Sequence, residues 1–328
     1  MAKNTRLELI KKIEKERNSR MICLMLGDRR SAEPNLNLQK QIEDDIVLYL
    51  YDFLEKIGRV NKVSLLIYSR GGNTEVPLKI INLIRKYCSN LEMIIPYRAH
   101  SAATMIAIGG DEILMNEISE LGPIDPSIWT PYNPVNPANA QQLLPIETEN
   151  ILSFRDSMVK DFKLWFRSGK IANMLVQHIN PIIIGSSHRA RSLSRKVIIS
   201  FLKYHIKGNF PHFKIKKTAN FLLRSDSHSD AIDINKAKSL GLNVKLLEND
   251  LKKNVWDLYK EYEKDLKLDN LFSPIVSIGS NPTSIEKFSK AIFETTDISY
   301  TFETKITITK GAQQGQIGWA VDENWILA

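Results

Sequence analysis

The stretch Val63-Ser64-Leu65-Leu66-Ile67-Tyr68-Ser69-Arg70-Gly71-Gly72-Asn73 decides how this chain is read, together with Tyr97-Arg98-Ala99-His100-Ser101-Ala102-Ala103-Thr104 downstream. Residues 63–68 form an apolar run of strand length, closed by the glycine pair. Val76, Ile80, Ile81 and Ile84 then recur at helical spacing, with Arg85 and Lys86 in the last turn. Residues 91–96 are predicted as a second buried strand. Residues 102–108 follow as a short small-residue helix, stopped by Gly109-Gly110, and residues 112–115 as a third strand. The order is βαβαβ. The glycine pair and Ser101 both fall at carboxyl ends of strands, where open α/β sheets place their sites.

A serine hydroxyl becomes a nucleophile only when a base takes its proton and donors stabilise the oxyanion that develops. The start of a helix supplies unpaired N–H groups and a partial positive charge. Ser101 stands at such a start, so the Ala102 N–H is one candidate donor, and Gly71 or Gly72, lacking a Cβ, can aim a second at the same point. The competing reading is that Ser101 merely caps the helix, which serine does well. The local pattern leaves both open.

Several motifs taken together resemble the serine dehydrogenase proteinase family, within the Clp protease and signal peptide peptidase superfamily and its crotonase-like fold. They are Ser69-Arg70-Gly71-Gly72, Ser101-Ala102-Ala103-Thr104-Met105-Ile106-Ala107, Gly110-Asp111-Glu112-Ile113 and Leu121-Gly122-Pro123-Ile124-Asp125-Pro126. Fainter matches run through Ser227-His228-Ser229-Asp230 and residues 237–242 and 294–300. The resemblance implies an α/β Clp/crotonase-like fold of stacked βαβ units, a serine peptidase activity on a peptide or protein substrate, and a homo-oligomer. It implies Ser101 as nucleophile and the N–H groups near Gly71, Gly72 and Ala102 as oxyanion hole. Two positions depart from the family, which usually has Pro where Arg70 stands and Gly where Ala103 stands. Ala103 brings a methyl near the reacting carbonyl, and Arg70 a cation beside the hole.

The base is open. Relatives of the signal peptide peptidase type look like Ser–Lys dyads with the lysine on a downstream helix. Residues 148–166 read as that helix and carry Lys160 and Lys163. A desolvated lysine can titrate near neutrality, whereas one on an amphipathic helix is ordinarily a solvated charge. Lys160 is preferred on its spacing from Ser101. His228 matches a family histidine but equally suits a capping turn. His100 adjoins Ser101, and alternation along a strand turns the two to opposite sides, which disfavours it. Asp125 either orients the base or caps a turn after Pro123.

The 328 residues, 43% of them hydrophobic, suffice for one large domain with an appendage. The expected division is a peptidase domain over 1–250 and a helix plus β-hairpin extension over 251–328. No run is long and apolar enough for a membrane span, and the charged N-terminus lacks a signal-peptide core. Cys23 and Cys88 lie in apolar runs without metal spacing, so a reducing, cytoplasmic setting and no cofactor are expected. The net charge of +8 reads as an ordinary solvated surface, its lysines spread among 37 acidic residues, rather than as a nucleic-acid footprint. Its densest basic stretches are residues 188–196 and 214–217. Two further readings stay beside the peptidase. One is a catalytically silent scaffold of the same fold. The other is a crotonase-type acyl-CoA enzyme, disfavoured by the lack of an acidic pair near the site.

Overall fold

In the computed structural model, which describes residues 2–137, 139–160, 169–206, 212–223, 231–311 and 317–328, an eight-stranded mixed sheet carries the site. Its strands are β1 (Arg20–Leu26), β2 (Val60–Tyr68), β3 (Cys88–Ile95), β4 (Glu112–Met115), β5 (Val244–Leu246), β6 (Thr283–Glu294), β7 (Ser299–Lys310) and β8 (Ile317–Leu327). The spatial order is β5-β4-β3-β2-β1-β6-β7-β8. The first five run parallel, and β6, β7 and β8 continue the sheet antiparallel. The helices include α1 (Ala2–Arg17), α2 (Asp45–Ile57), α3 (Val76–Ile84), α4 (Ala102–Ile108), α5 (Thr148–Lys160), α6 (Lys170–His178), α7 (Pro181–His205), α8 (His212–Leu222), α9 (Ile234–Ser239) and α10 (Asn249–Asp265).

The inner parallel strands β1 to β4 are buried on both faces over most of their length, as crossover helices require, whereas Lys245 and Leu246 of the edge strand β5 are exposed. One core joins α2, α3, α4, α7 and α8 to Ile22, Leu24, Leu65, Ile67, Met93 and Ile95. On the opposite face α1 and α10 pack on Met21, Cys23, Met25, Leu66 and Ile94. The alternation along β1 thus divides two hydrophobic layers.

From Leu38 on, the apolar residues Ile42, Ile46, Leu50, Phe53, Leu54 and Ile57 recur at helical spacing, which predicts a helix over 38–57, yet α2 starts only at Asp45. Leu38 and Ile42 are buried at helical spacing, yet the chain between them is extended. The Ile42 N–H donates to Gly71 O (2.9 Å), and the Asn73 N–H donates to Ile42 O (2.9 Å). Pairing with the glycine loop outweighs the helical pattern there. The strands beyond residue 250 also differ from the hairpin that was expected. Three long strands form, and β6 pairs with β1, so the sheet itself runs across the expected boundary.

His205, fully buried at the end of α7, ties the far end of α4 to β5. One ring nitrogen, Nδ1, lies 2.8 Å from Gly110 O, and Nε2 accepts the Asn243 N–H at 2.9 Å. Burial pushes its pKa below the ordinary imidazole value, and the acceptor role of Nε2 requires the neutral ring. The unfolded chain therefore binds the proton more readily, with a pKa of about 6.5. The stability held by His205 is complete above that value and is lost as pH falls below it. Thermal melts from about pH 7 to about pH 5 should show a falling Tm, and His205→Gln should flatten the slope. An unchanged slope in the variant would remove His205 from the account.

Candidate active site

Two loops at the carboxyl ends of β2 and β3 meet at Ser101. After β2, Ser69 pairs with the short strand Arg98–Ala99: the Ser69 N–H donates to Arg98 O and the His100 N–H to Ser69 O (3.0 Å). The Ser69 hydroxyl accepts the Gly71 N–H at 2.9 Å. Gly71 has φ +110° and Gly72 φ +151°, backbone that side chains rarely adopt. A Cβ on Gly71 would lie 2.8 Å from Ser101 Cβ and 2.8 Å from His100 O, so the loop touches the serine directly. Because the Gly71 N–H is committed to Ser69, the open donor of the pair is Gly72. Among the described residues neither the Gly72 N–H nor the Ala102 N–H donates to a partner.

Ser101 itself has φ +50° and ψ −115°, strained for a residue with a Cβ, and its side chain makes no capping hydrogen bond. The capping reading is therefore not what the geometry displays. Helix α4 is held from within. Thr104 Oγ1 lies 2.7 Å from both Ala99 O and Gly122 O, its one proton shared between the two carbonyls, and the Ala103 N–H donates to His100 O. Ala103 is buried. The strained turn presents Ser101 to a cleft of about 840 Å³, lined also by Arg70, Gly72, His100, Asp125 and Trp129.

His100 lies in the same cleft, contrary to the strand-alternation argument. The strand ends at Ala99, and the positive φ of Ser101 redirects the chain, so period-two alternation does not extend across this pair. The His100 ring packs against Gly122, where a Cβ would come within 2.6 Å of Cγ, and Nε2 sits 2.9 Å from Glu120 Oε1. Burial holds its pKa below the ordinary value. Glu120 pulls it up, while Arg70 and Arg98 add to the depression.

Arg70 lines the cleft with Nε bound to Asp28 Oδ2 at 2.6 Å, and Tyr68 OH donates to the other Asp28 oxygen at 2.5 Å. Arg98 stacks on Tyr97 and lies 3.5 Å from Glu120. Asp125 Oδ1 accepts from Thr148 Oγ1 (3.1 Å) and from the Glu149 N–H (3.2 Å), which makes it a cap for α5. Burial raises its pKa, against those same hydrogen bonds.

The structure thus brings together Ser101, Gly71, Gly72, Ala102 and Asp125. Lys160 is exposed at the last turn of α5 and is not among the cleft-lining residues. Lys163 and His228 lie outside the described residues. No lysine lines the cleft among the described residues, and no three-residue metal-ligating cluster occurs among them. Sequence reasoning set His100 aside and missed Asp28 as the partner of Arg70. The one available signal was Arg70 beside the glycine pair.

Residues 1–139 match the family model of the ClpP-like SDH-type serine proteinase, so the motifs around Gly71, Ser101 and Gly122 sit inside the matched stretch and the fold is Clp/crotonase-like. The fainter matches at 227–242 and 294–300 lie beyond it. Two uncharacterized proteins of Methanocaldococcus jannaschii are similar over 123 residues. One is 24% identical, over 38% of this chain and 43% of the relative. The other is 25% identical, over 38% and 42%. The chain thus spans less than half the length of these relatives. A solved structure, a serine-to-alanine variant of a membrane-bound stomatin-specific protease, superposes with a TM-score of 0.39 and 13% identity, covering 67% of this chain and 79% of that one.

Proposed function

We propose that this protein is a serine peptidase-like hydrolase with Ser101 as nucleophile. The observation that carries the reading is the strained, uncapped Ser101 at the head of α4, in a cleft beside two uncommitted N–H groups. Oγ attacks the amide carbonyl carbon while a base takes its proton. The N–H groups of Gly72 and Ala102 hold the oxyanion. The base returns the proton to the leaving amine, and water then hydrolyses the acyl-enzyme. For the base, His100 is the histidine that shares the cleft with Ser101; its Nε2 is held by Glu120, and burial depresses its pKa. Lys160, Lys163 and His228 are the alternatives that the family resemblance supplies, and Asp125 positions α5 rather than the base. A homo-oligomer and a cytoplasmic location accompany this reading. The buried Cys23 and half-buried Cys88, both free thiols, support the second.

The test is labelling with a fluorophosphonate probe, with the adduct located by mass spectrometry. Labelling at Ser101 is expected and should be abolished in Ser101→Ala. Single changes His100→Gln, Lys160→Ala, Lys163→Ala and His228→Gln then identify the base, whose loss should slow labelling by about 10²–10⁴-fold. No labelling between about pH 6 and about pH 10, on folded protein, would favour the second reading. That reading is a silent scaffold, supported by the absence of any hydrogen bond from Ser101 Oγ to a base among the described residues.

A further inference from the structure

The basic charge of this protein is segregated, not spread. Of its 45 Lys and Arg, 13 fall within residues 162–225, where no Asp or Glu occurs, and the rest of the chain carries 32 basic against 37 acidic residues. This corrects the reading of the charge as an ordinary mixed surface. The described part of that segment comprises α6, α7 and α8.

On α7 the residues Ile182, Arg189, Lys196 and Lys203 recur every seven positions, and all four are exposed. Seven residues advance an α-helix by two turns less about 20°, so they form one line about 32 Å long. On α8, Phe213, Lys216, Lys217 and Asn220 are likewise exposed at the spacing of a single helix face. Arg195 Nε, on the flank of α7 next to the basic line, donates to Asn220 Oδ1 at 3.0 Å, which ties the exposed face of α8 to that flank. Among the described residues Lys196, Lys203, Lys216 and Lys217 pair with no carboxylate. The cleft-lining residues of α7, Ser186, Ala190 and Leu193, lie roughly 50–110° around the same helix from the basic line, so this face flanks the cleft mouth.

We infer that the α7–α8 face docks on an anionic lipid surface. Two observations select a bilayer. Large apolar side chains stand exposed among the cations, Ile182 at 51% and Phe213 at 65%, with Trp129 at 64% on the cleft rim. Cations with protruding apolar side chains are the composition that settles at the boundary of headgroups and acyl chains. Four of the five cations on the two lines are lysines, point charges that suit a diffuse anionic surface. Of the three guanidiniums on α7, Arg191 is engaged by Glu149 and Arg195 by Asn220, so neither presents a wholly free fork to phosphates or base edges. Among the described residues no helix is long and apolar enough to cross a membrane, so the protein would lie on the surface. This inference does not depend on Ser101 being reactive.

The experiment is flotation of the full chain with extruded vesicles, of phosphatidylcholine alone or with roughly one-third phosphatidylglycerol. Binding to the anionic vesicles alone is expected at about 0.05 M salt, falling more than about tenfold at about 0.5 M. Each lysine neutralised near the surface should cost about fivefold. The triple charge reversal Lys196→Glu, Lys203→Glu, Lys217→Glu should therefore weaken binding at least about 100-fold. Ile182→Ser with Phe213→Ser, which leaves the charge intact, should weaken it about tenfold. Thermal melts check that both variants fold. Equal binding to neutral vesicles, no binding, or indifference to the Ile182 and Phe213 changes would overturn the inference. So would retention of duplex DNA in a gel without vesicle binding.

Discussion

Gly72→Ala is expected to cut fluorophosphonate labelling of Ser101 by about 10²–10³-fold, the effect of losing one oxyanion donor. An added Cβ at Gly72 would lie 2.4 Å from Ile42 O and 2.5 Å from Ile42 N. Both are backbone atoms that already pair with this loop, through Gly71 O and the Asn73 N–H. No rotamer relieves such a clash, so the loop must move and the Gly72 N–H moves with it. Its φ of +151° adds strain for any residue with a Cβ. The stability loss should be about 1–3 kcal/mol, small enough that most of the protein stays folded and the rate can be measured. Gly58→Ala is the control: φ is +70° there, with open space around the built Cβ. It should cost about 1–3 kcal/mol in backbone strain alone and leave labelling untouched. If Gly72→Ala labelled as fast as Gly58→Ala, the hole would be elsewhere and the peptidase mechanism would lose its second donor.

The sequence made the central βαβαβ unit legible because its strands are short apolar runs bounded by glycine. Residues 102–108 and 112–115 were placed to the residue. The extended stretch before α2 was not legible, because Leu38 and Ile42 fit a helical period and only the tertiary pairing of Ile42 with the Gly71-Gly72 loop shows otherwise. Strand β6 escaped notice for a related reason. Thr283, Glu286 and Lys287 at its start read as solvated chain, and only its second half is fully buried, against β1. At the site, Ser101 and its glycines followed from motif order. The place of His100 did not, because it depends on a single positive φ at Ser101, which no residue type other than glycine advertises. Asp125 shows the limit from the other side. The sequence left it either to orient the base or to cap a turn after Pro123, whereas its hydrogen bonds go to the start of α5.

Glu294→Ala should destabilise the protein by about 3–5 kcal/mol, the loss seen when one partner of a buried ion pair is removed. Glu294 ends β6 with its side chain fully buried. Its Oε1 accepts from Arg6 Nε and from Tyr262 OH, both at 2.7 Å, and its Oε2 accepts from Arg6 Nη2 (3.2 Å) and Ser299 Oγ (3.0 Å). Removing the carboxylate leaves a guanidinium 5% exposed with Asp265 as its one remaining acidic partner, and two hydroxyls without their acceptor. The same carboxylate joins α1, α10, β6 and β7, elements that lie on both sides of residue 250. If the parallel strands and the C-terminal strands form one cooperative unit, urea unfolding of Glu294→Ala will shift as a single transition with an unchanged m value. If instead they fold as a peptidase domain over 1–250 and an extension over 251–328, the variant will unfold in two steps. The first step would then leave Ser101 able to label, because β2, β3 and α4 would remain in place.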